Sequence, residues 1–385
     1  MNKKEILEIK KQFSHANCAI TRICGCYVDF EKNKKLVSKS AFLSMPEEET
    51  FKYFKIFRQT LSGTVGKQLL NMEFPMEQEM AGGTQEFLLK LRDSKLQDDE
   101  LTEQFYDKII EYFPYAENYY IILIHGVYDV PGKAMDGMEM FDASDSVYEH
   151  ILCSICPVNL SKAGLSYNME RNSIEDRVRD WIVEEPMKGF LFPAFHDRNS
   201  DIHSILYYSK KPEEIEPEFI EALLGADLPM TAEVQKESFQ EVLADTLQEE
   251  CSYEVIRSIH ENMQEMIEDH KEDPQPLELS RQDVKKLLEH SGVSEQKMED
   301  FDTKYETVVG EKNNLLASNI VDTNKFQIQT PDVIIKVNPE RTQLIQTRII
   351  NGERCLVIPV ENYIEVNGVN VNVLAESAES ALEEI

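Results

Sequence analysis

Apolar residues recur at helical spacing in the first part of the chain. Within residues 3–13 they return every three or four positions, which predicts a short amphipathic helix. A second stripe over residues 51–61 predicts a longer helix, and Ser44, three residues before Glu47, predicts a capping box at its start. Further helices are predicted to begin at Thr84 and near Asp98.

Runs rich in β-branched and aromatic residues predict the strands of one sheet. The first run is Ala19–Asp29, and the period changes again after residue 117. Four more strands are predicted there, at residues 118–128, 150–158, 189–195 and 202–209. Between the second and third of these, Ser173–Val183 has helical spacing and is predicted as a helix that carries Trp181.

The rest of the chain divides in two. Helical spacing dominates residues 211–320, and short apolar runs return after them, with Asn-Gly turns at 351–352 and 367–368 that predict two hairpins. The pattern therefore predicts an α+β fold. Its parts are a mixed β-sheet with packed helices over 1–210, an acidic helical region over 211–320, and a small β-rich module with an acidic tail over 321–385.

The charge is strongly negative and unevenly placed. The 385 residues carry 40 Lys+Arg and 71 Asp+Glu, a net charge of −31. Residues 211–320 hold 10 Lys/Arg and 28 Asp/Glu, a net charge of −18. Such a field repels phosphate backbones and anionic lipid surfaces, so nucleic acid is an unfavourable partner and no membrane contact is expected.

Targeting and redox signals predict a cytoplasmic protein. The opening MNKKEILEIKKQF is basic but has no continuous apolar core, so it does not read as a signal peptide. The apolar clusters fall far short of the roughly 20 residues that span a bilayer. The chain has seven cysteines, an odd number, and no recognisable export signal, which together indicate reduced thiols.

Two stretches resemble a known family. They are NKKEILEIKKQF followed by CAITRICGCYVD, and FLFPAFHDRNSDIHSILYYSK. Both are similar to an uncharacterised bacterial family, a domain of unknown function common in anaerobic Gram-positive bacteria. The resemblance runs the full length and implies a bacterial cytoplasmic protein, but no activity, cofactor or catalytic residue. The order of sheet, acidic helices and β module is also similar to that of bacterial nucleoid-associated proteins.

Two cysteine pairs are the candidate metal ligands. They are Cys24 with Cys26, and Cys153 with Cys156. Paired thiolates chelate zinc when a turn lets both sulfurs converge. Both pairs fall in predicted strands, where residues two apart share a face and residues three apart do not. Buried free thiols are therefore the favoured interpretation, and no cofactor is predicted.

The segment between the last two predicted strands of the sheet is the candidate active site. Its candidate catalytic residues are His196, Asp197, Arg198 and Asp201, together with His203 at the start of the next strand. His196 would act as a general base oriented by an aspartate, with Arg198 binding an anion, or the histidines and Asp201 would hold a metal. The competing interpretation is an ordinary hairpin in which Arg198 pairs with Asp201.

Three other motifs do not predict a specific function. Gly63-Thr-Val-Gly-Lys67 lacks the spacing and the hydroxyl of a phosphate loop. Residues 1–39 carry a net charge of +5, from nine Lys/Arg and four Asp/Glu. These basic residues would neutralise the phosphates of a nucleic acid. The competing interpretations are that they form a solvated helix face or that they dock on the acidic helices of the same chain. The helix-turn-helix pattern at 280–304 is acidic where DNA recognition needs basic and amide side chains.

The sequence favours a non-catalytic interaction protein of unknown function, whose acidic helices meet a basic protein partner or which self-associates. The first alternative is an enzyme, a hydrolase or transferase, that uses the loop from His196 to Asp201. The second is a nucleoid- or ribosome-associated protein that binds through the lysines of its N-terminus. These lysines are Lys3, Lys4, Lys10 and Lys11.

Overall fold

The computed structural model describes residues 1–133, 139–311, 313–360 and 364–371, and the side chains of residues 133–145 lie outside that description. The helices are α1 Lys3–Lys11, α2 Glu47–Thr60, α3 Met76–Glu79, α4 Thr84–Asp93, α5 Asp99–Tyr112, α6 Pro217–Leu224, α7 Ala232–Leu247, α8 Tyr253–Asp269, α9 Arg281–His290, α10 Glu295–Met298, α11 Phe301–Val308 and α12 Ala317–Ile320. The α+β class predicted from the sequence is confirmed.

The strands fall into one large sheet and several two-stranded ribbons. Up to residue 209 they are β1 Ile20–Val28, β2 Lys34–Ala41, β3 Leu69–Glu73, β4 Tyr119–Lys133, β5 Glu139–Leu160, β6 Leu165–Asn168, β7 Ser173–Asp176, β8 Trp181–Val183, β9 Lys188–Phe192, β10 Ala194–His196, β11 Asn199–Asp201 and β12 Ser204–Ser209. The later strands are β13 Glu278–Leu279, β14 Leu315–Leu316, β15 Phe326–Gln329, β16 Ile334–Val337, β17 Gln346–Ile350, β18 Glu353–Val357, β19 Ile364–Val366 and β20 Val369–Val371.

The large sheet has the strand order β2-β1-β4-β5-β9-β12-β3, and β8 pairs with the far end of β5. The sequence predicted a mixed sheet, and the described ladders between these strands are antiparallel. Helices cover both faces of this sheet. The helices α4, α5 and α6 pack on one face, and α1 and α2 pack on the other.

Burial on both faces explains the unbroken apolar run in β4. Ile121 and Leu123 enter the core beneath α5, whereas Ile122 and Ile124 enter the core beneath α2. Successive side chains of a strand point to opposite faces, so a sheet covered on both sides needs apolar residues at every position. The same geometry buries polar groups such as His125 and His150 within the sheet.

Residues after α6 form a third core of their own. It lies among α7, α8, α9 and α11, with Phe239, Met263, Leu288 and Phe301 buried in it. The helix α6 packs on the first core although it lies within residues 211–320. The division of the chain at residues 210 and 320 stays a prediction.

Two predicted hairpins form as expected near the C-terminus. Asn351 and Gly352 join β17 to β18, and Asn367 and Gly368 join β19 to β20. All four residues have positive φ, between 50° and 84°. That conformation matches the type I′ turn, whose twist suits a two-residue hairpin. The predicted acidic tail lies outside the described residues.

Two local predictions are wrong. Ser173–Val183 is not a helix, because β7 pairs with β6 and β8 pairs with β5. The strand pairing available to this segment overrides its helical spacing. Ser44 does not cap α2: its hydroxyl donates to the Ala41 carbonyl, 2.7 Å away.

Among the described residues, no helix combines the length and the apolar composition that a membrane crossing requires.

Candidate functional site

The predicted loop at residues 196–201 is a tight hairpin. His196 pairs with Asn199 across a two-residue turn formed by Asp197 and Arg198. Both turn residues have positive φ, 47° and 60°, as a type I′ turn requires. Residues other than glycine and asparagine adopt this left-handed conformation at a cost in free energy, so surrounding contacts must stabilise the turn.

Helix α1 supplies those contacts. Glu5 is buried, and its carboxylate accepts a hydrogen bond of 2.8 Å from the backbone nitrogen of Asp197. The Arg198 guanidinium lies 3.2 Å from a carboxylate oxygen of Glu8 and donates to the Pro131 carbonyl at 2.7 Å. Arg198 therefore anchors the first helix, whereas the sequence suggested Asp201 as its partner.

His196 completes a cluster that resembles a cation site. Ligand atoms of Glu5, His196 and Asp197 lie within 4.8 Å of one another, and within the described part of the chain this is the one such group of three. The two Glu5 oxygens already accept the backbone amides of Asn2 and Asp197. The buried carboxylate is thus accounted for as the capping box of α1 and the anchor of the turn.

The other two candidates lie apart from this cluster. The Asp201 carboxylate accepts the backbone amide of His203 at 3.1 Å. The His203 ring lies 2.7 Å from the Glu79 carboxylate, and this hydrogen bond raises the pKa of the exposed imidazole. His196, Arg198 and His203 therefore have separate carboxylate neighbours.

The four sheet cysteines, Cys24, Cys26, Cys153 and Cys156, are buried in the two cores of the sheet. Cys24, Cys26 and Cys153 lie on the face beneath α5, and Cys156 lies on the opposite face. Burial raises the pKa of Cys24 to about 11 and that of Cys26 to about 12. Thiols that resist ionisation are poor nucleophiles and poor metal ligands.

Two lysines of the basic N-terminal patch, Lys34 and Lys39, are paired with carboxylates of α5. Lys34 forms ion pairs with Glu103 and Asp107 of α5. Lys39 lies 2.7 Å from Asp99, at the start of the same helix. These pairs occupy cationic groups that a phosphate backbone would need.

The helix-turn-helix pattern serves internal packing. Arg281 and Lys285 of α9 form ion pairs with Asp302 of α11, and Arg281 also contacts Glu306. Arg281 and Lys285 therefore join α9 to α11 and are paired with carboxylates.

A buried histidine network was missed by sequence reasoning. Thr21 Oγ1 lies 2.6 Å from His125 Nδ1, and His125 Nε2 lies 2.7 Å from a Glu149 carboxylate oxygen. Burial lowers the pKa of His125, which favours the neutral ring. The carboxylate then holds the proton on Nε2, and Nδ1 accepts the hydroxyl hydrogen of Thr21. These residues come from β1, β4 and β5, so no local motif in the sequence could reveal them.

The second missed feature is an exposed apolar segment, residues 160–183, here called the apolar arm. It is the connection that includes the β6–β7 hairpin and β8. Nine large apolar side chains are exposed on it: Leu160, Leu165, Tyr167, Met169, Ile174, Val178, Trp181, Ile182 and Val183. The exposed fraction reaches 83% at Met169 and Val178.

The β6–β7 hairpin turns its apolar face outward. Tyr167 lies opposite Ile174, and both side chains are exposed, together with Leu165 on the same face. Ser166 and Glu175, which alternate with them, are less exposed. Contiguous apolar surface of this kind marks a binding site in folded proteins. The alternation L-S-Y-N in residues 165–168 was a signal for this strand.

A family comparison is consistent with the resemblance noted in the sequence. The model of the family DUF4317, a domain of unknown function, matches residues 1–369. The chain therefore belongs to this family. No curated protein matches it.

Proposed function

Because a domain of unknown function supplies no activity to transfer, we propose from its surface that this chain is an interaction protein that binds a protein partner through the apolar arm. The observation that carries the proposal is the set of nine exposed apolar side chains within residues 160–183. Burial of a large apolar side chain contributes about 1.5–3 kcal/mol, so covering only a few of them would hold a partner.

Site-specific photo-crosslinking in cells tests this function. The full chain carries p-benzoylphenylalanine in place of Trp181, which is 55% exposed, or in place of Leu43, which is 71% exposed and lies outside the arm. We expect a discrete crosslinked product at position 181 and none at position 43. Absence of a product at position 181 would refute the proposal.

The acidic helices are proposed as a second contact, with a basic partner. Their support is the net charge of −18 over residues 211–320, at a distance in sequence from the apolar arm. Salt separates the two modes: an electrostatic partner is released at high ionic strength, whereas an apolar contact is retained.

The cytoplasmic location also remains a proposal, supported by the four sheet cysteines buried as free thiols.

A second candidate function is acyl transfer, and the Thr21–His125–Glu149 network favours it. Thr21 is exposed while the imidazole behind it is buried and held by a carboxylate, which is the arrangement of nucleophile, base and orienting group. In the step proposed, Thr21 Oγ1 bonds to an acyl carbonyl carbon, its proton passes to His125 Nδ1, and the leaving group departs with that proton. Water then hydrolyses the acyl ester.

The network is tested with p-nitrophenyl acetate and mass spectrometry. We expect hydrolysis and an acetyl adduct on Thr21, both lost in Thr21→Val and retained in Thr21→Ser. Equal rates in wild type and Thr21→Val would show that the network only joins the three strands.

A further inference from the structure

The strand β8 leaves one edge of its backbone open. It pairs with β5 through Trp181, Ile182 and Val183, and no described strand pairs with its other edge. None of these three residues is charged. The edge strand β2 of the large sheet, in contrast, carries Lys34, Lys35 and Lys39. Proteins block free edges with charges of that kind, so an uncharged apolar edge is suited to adding a strand.

Charge identifies which occupant suits this edge. The apolar arm contains four Lys/Arg and four Asp/Glu, so its net charge is zero in a chain of net charge −31. A basic partner gains nothing from a neutral surface. A second copy of this acidic chain, in contrast, would approach with least repulsion at a neutral arm.

The exposed surface is also of sufficient size. At roughly 100 Å² for each large exposed side chain, the nine residues offer on the order of 900 Å². A stable interface covers about 800 Å² on each partner.

We infer that the occupant of the apolar arm is a second copy of this chain, joined by antiparallel pairing of β8 with β8 across a two-fold axis. This inference rests on the proposed function and names its partner. Antiparallel pairing of one strand with its own copy is self-complementary, as a two-fold interface requires. The outward face of each β6–β7 hairpin is then covered by the partner's arm.

Sedimentation equilibrium of the purified full chain tests the inference. We expect the mass of two 44.5 kDa chains. The dissociation constant should be lower at about 0.5 M salt than at about 0.05 M salt, because screening relieves the repulsion between two acidic chains. Trp181→Asp is expected to raise that constant by about 30-fold or more, as for a tryptophan central to an interface.

Further variants control for misfolding. Val178→Asp, at a position 83% exposed, is expected to weaken the dimer without perturbing the fold, and Leu43→Asp outside the arm is expected to leave it unchanged. A monomer at both salt concentrations would overturn the inference. If crosslinking at position 181 then captured a different protein, the proposed function would stand without the dimer; with neither result, both would fall.

Discussion

Replacing His150 is expected to remove part of the protein's sensitivity to acid. The imidazole is fully buried, stacked on Tyr148 with ring centroids 4.7 Å apart. Burial lowers its pKa from 6.5 to about 3. The unfolded chain therefore binds a proton between pH 6.5 and pH 3 that the folded chain excludes. Stability falls as the pH drops through this window.

The size of the effect follows from the shift. At pH 5 the solution is 1.5 units below the unfolded pKa of 6.5 and well above the folded value. At about 1.36 kcal/mol for each unit, His150 alone lowers the free energy of unfolding by about 2 kcal/mol between pH 7 and pH 5. Leucine is similar in volume to histidine and cannot titrate. Between pH 7 and pH 5, the free energy of unfolding of His150→Leu should therefore decrease by about 2 kcal/mol less than that of wild type.

Urea unfolding followed by circular dichroism at pH 7 and pH 5 measures the difference. Each variant is compared with itself, so a change of absolute stability caused by leucine does not affect the result. His203→Gln is the matched control, because His203 is exposed and the pKa of its ring is raised by Glu79. Its removal should not reduce the acid sensitivity. An equal loss in wild type and His150→Leu would refute the reasoning.

Three further outcomes follow from the sheet and its anchors. Gly189→Ala should lower the free energy of unfolding by about 2–3 kcal/mol in urea titrations, because an added Cβ would lie 2.4 Å from the Cys153 carbonyl oxygen of the neighbouring strand. In a thiol titration with a disulfide reagent, exposed Cys251 should react in the native protein and the four sheet cysteines only after unfolding; fast reaction of all seven would contradict their burial. Arg198→Met should speed hydrogen exchange of α1 amides, since it removes the ion pair with Glu8.

The periodic segments were predictable because local physics defines them. In β4 the apolar run is short, rich in isoleucine and tyrosine and bounded by polar residues, which favours a buried strand over a helix. The Asn-Gly turns near the C-terminus likewise need no tertiary partner, since both residues tolerate positive φ. The helix that follows Asp98 was predictable from its apolar spacing, and the structure adds that Asp98 caps it by accepting the amides of Glu100 and Leu101.

Residues 173–183 show where such reasoning ends. Their spacing fits a helix, but a strand forms because β5 extends past β9 and offers Val158–Leu160 for pairing. That partner lies about twenty residues away in the chain, and no local pattern specifies it.

The sequence by itself determined the α+β class, the main helices and strands, and the uneven distribution of charge. Only the tertiary structure decided which groups meet: Arg198 with Glu8, Thr21 with His125 and Glu149, and the apolar residues of the arm with no covering element in the part of the chain described. The physical reason is that spacing records which face of an element is apolar. Which other element covers that face depends on contacts between residues far apart in the chain.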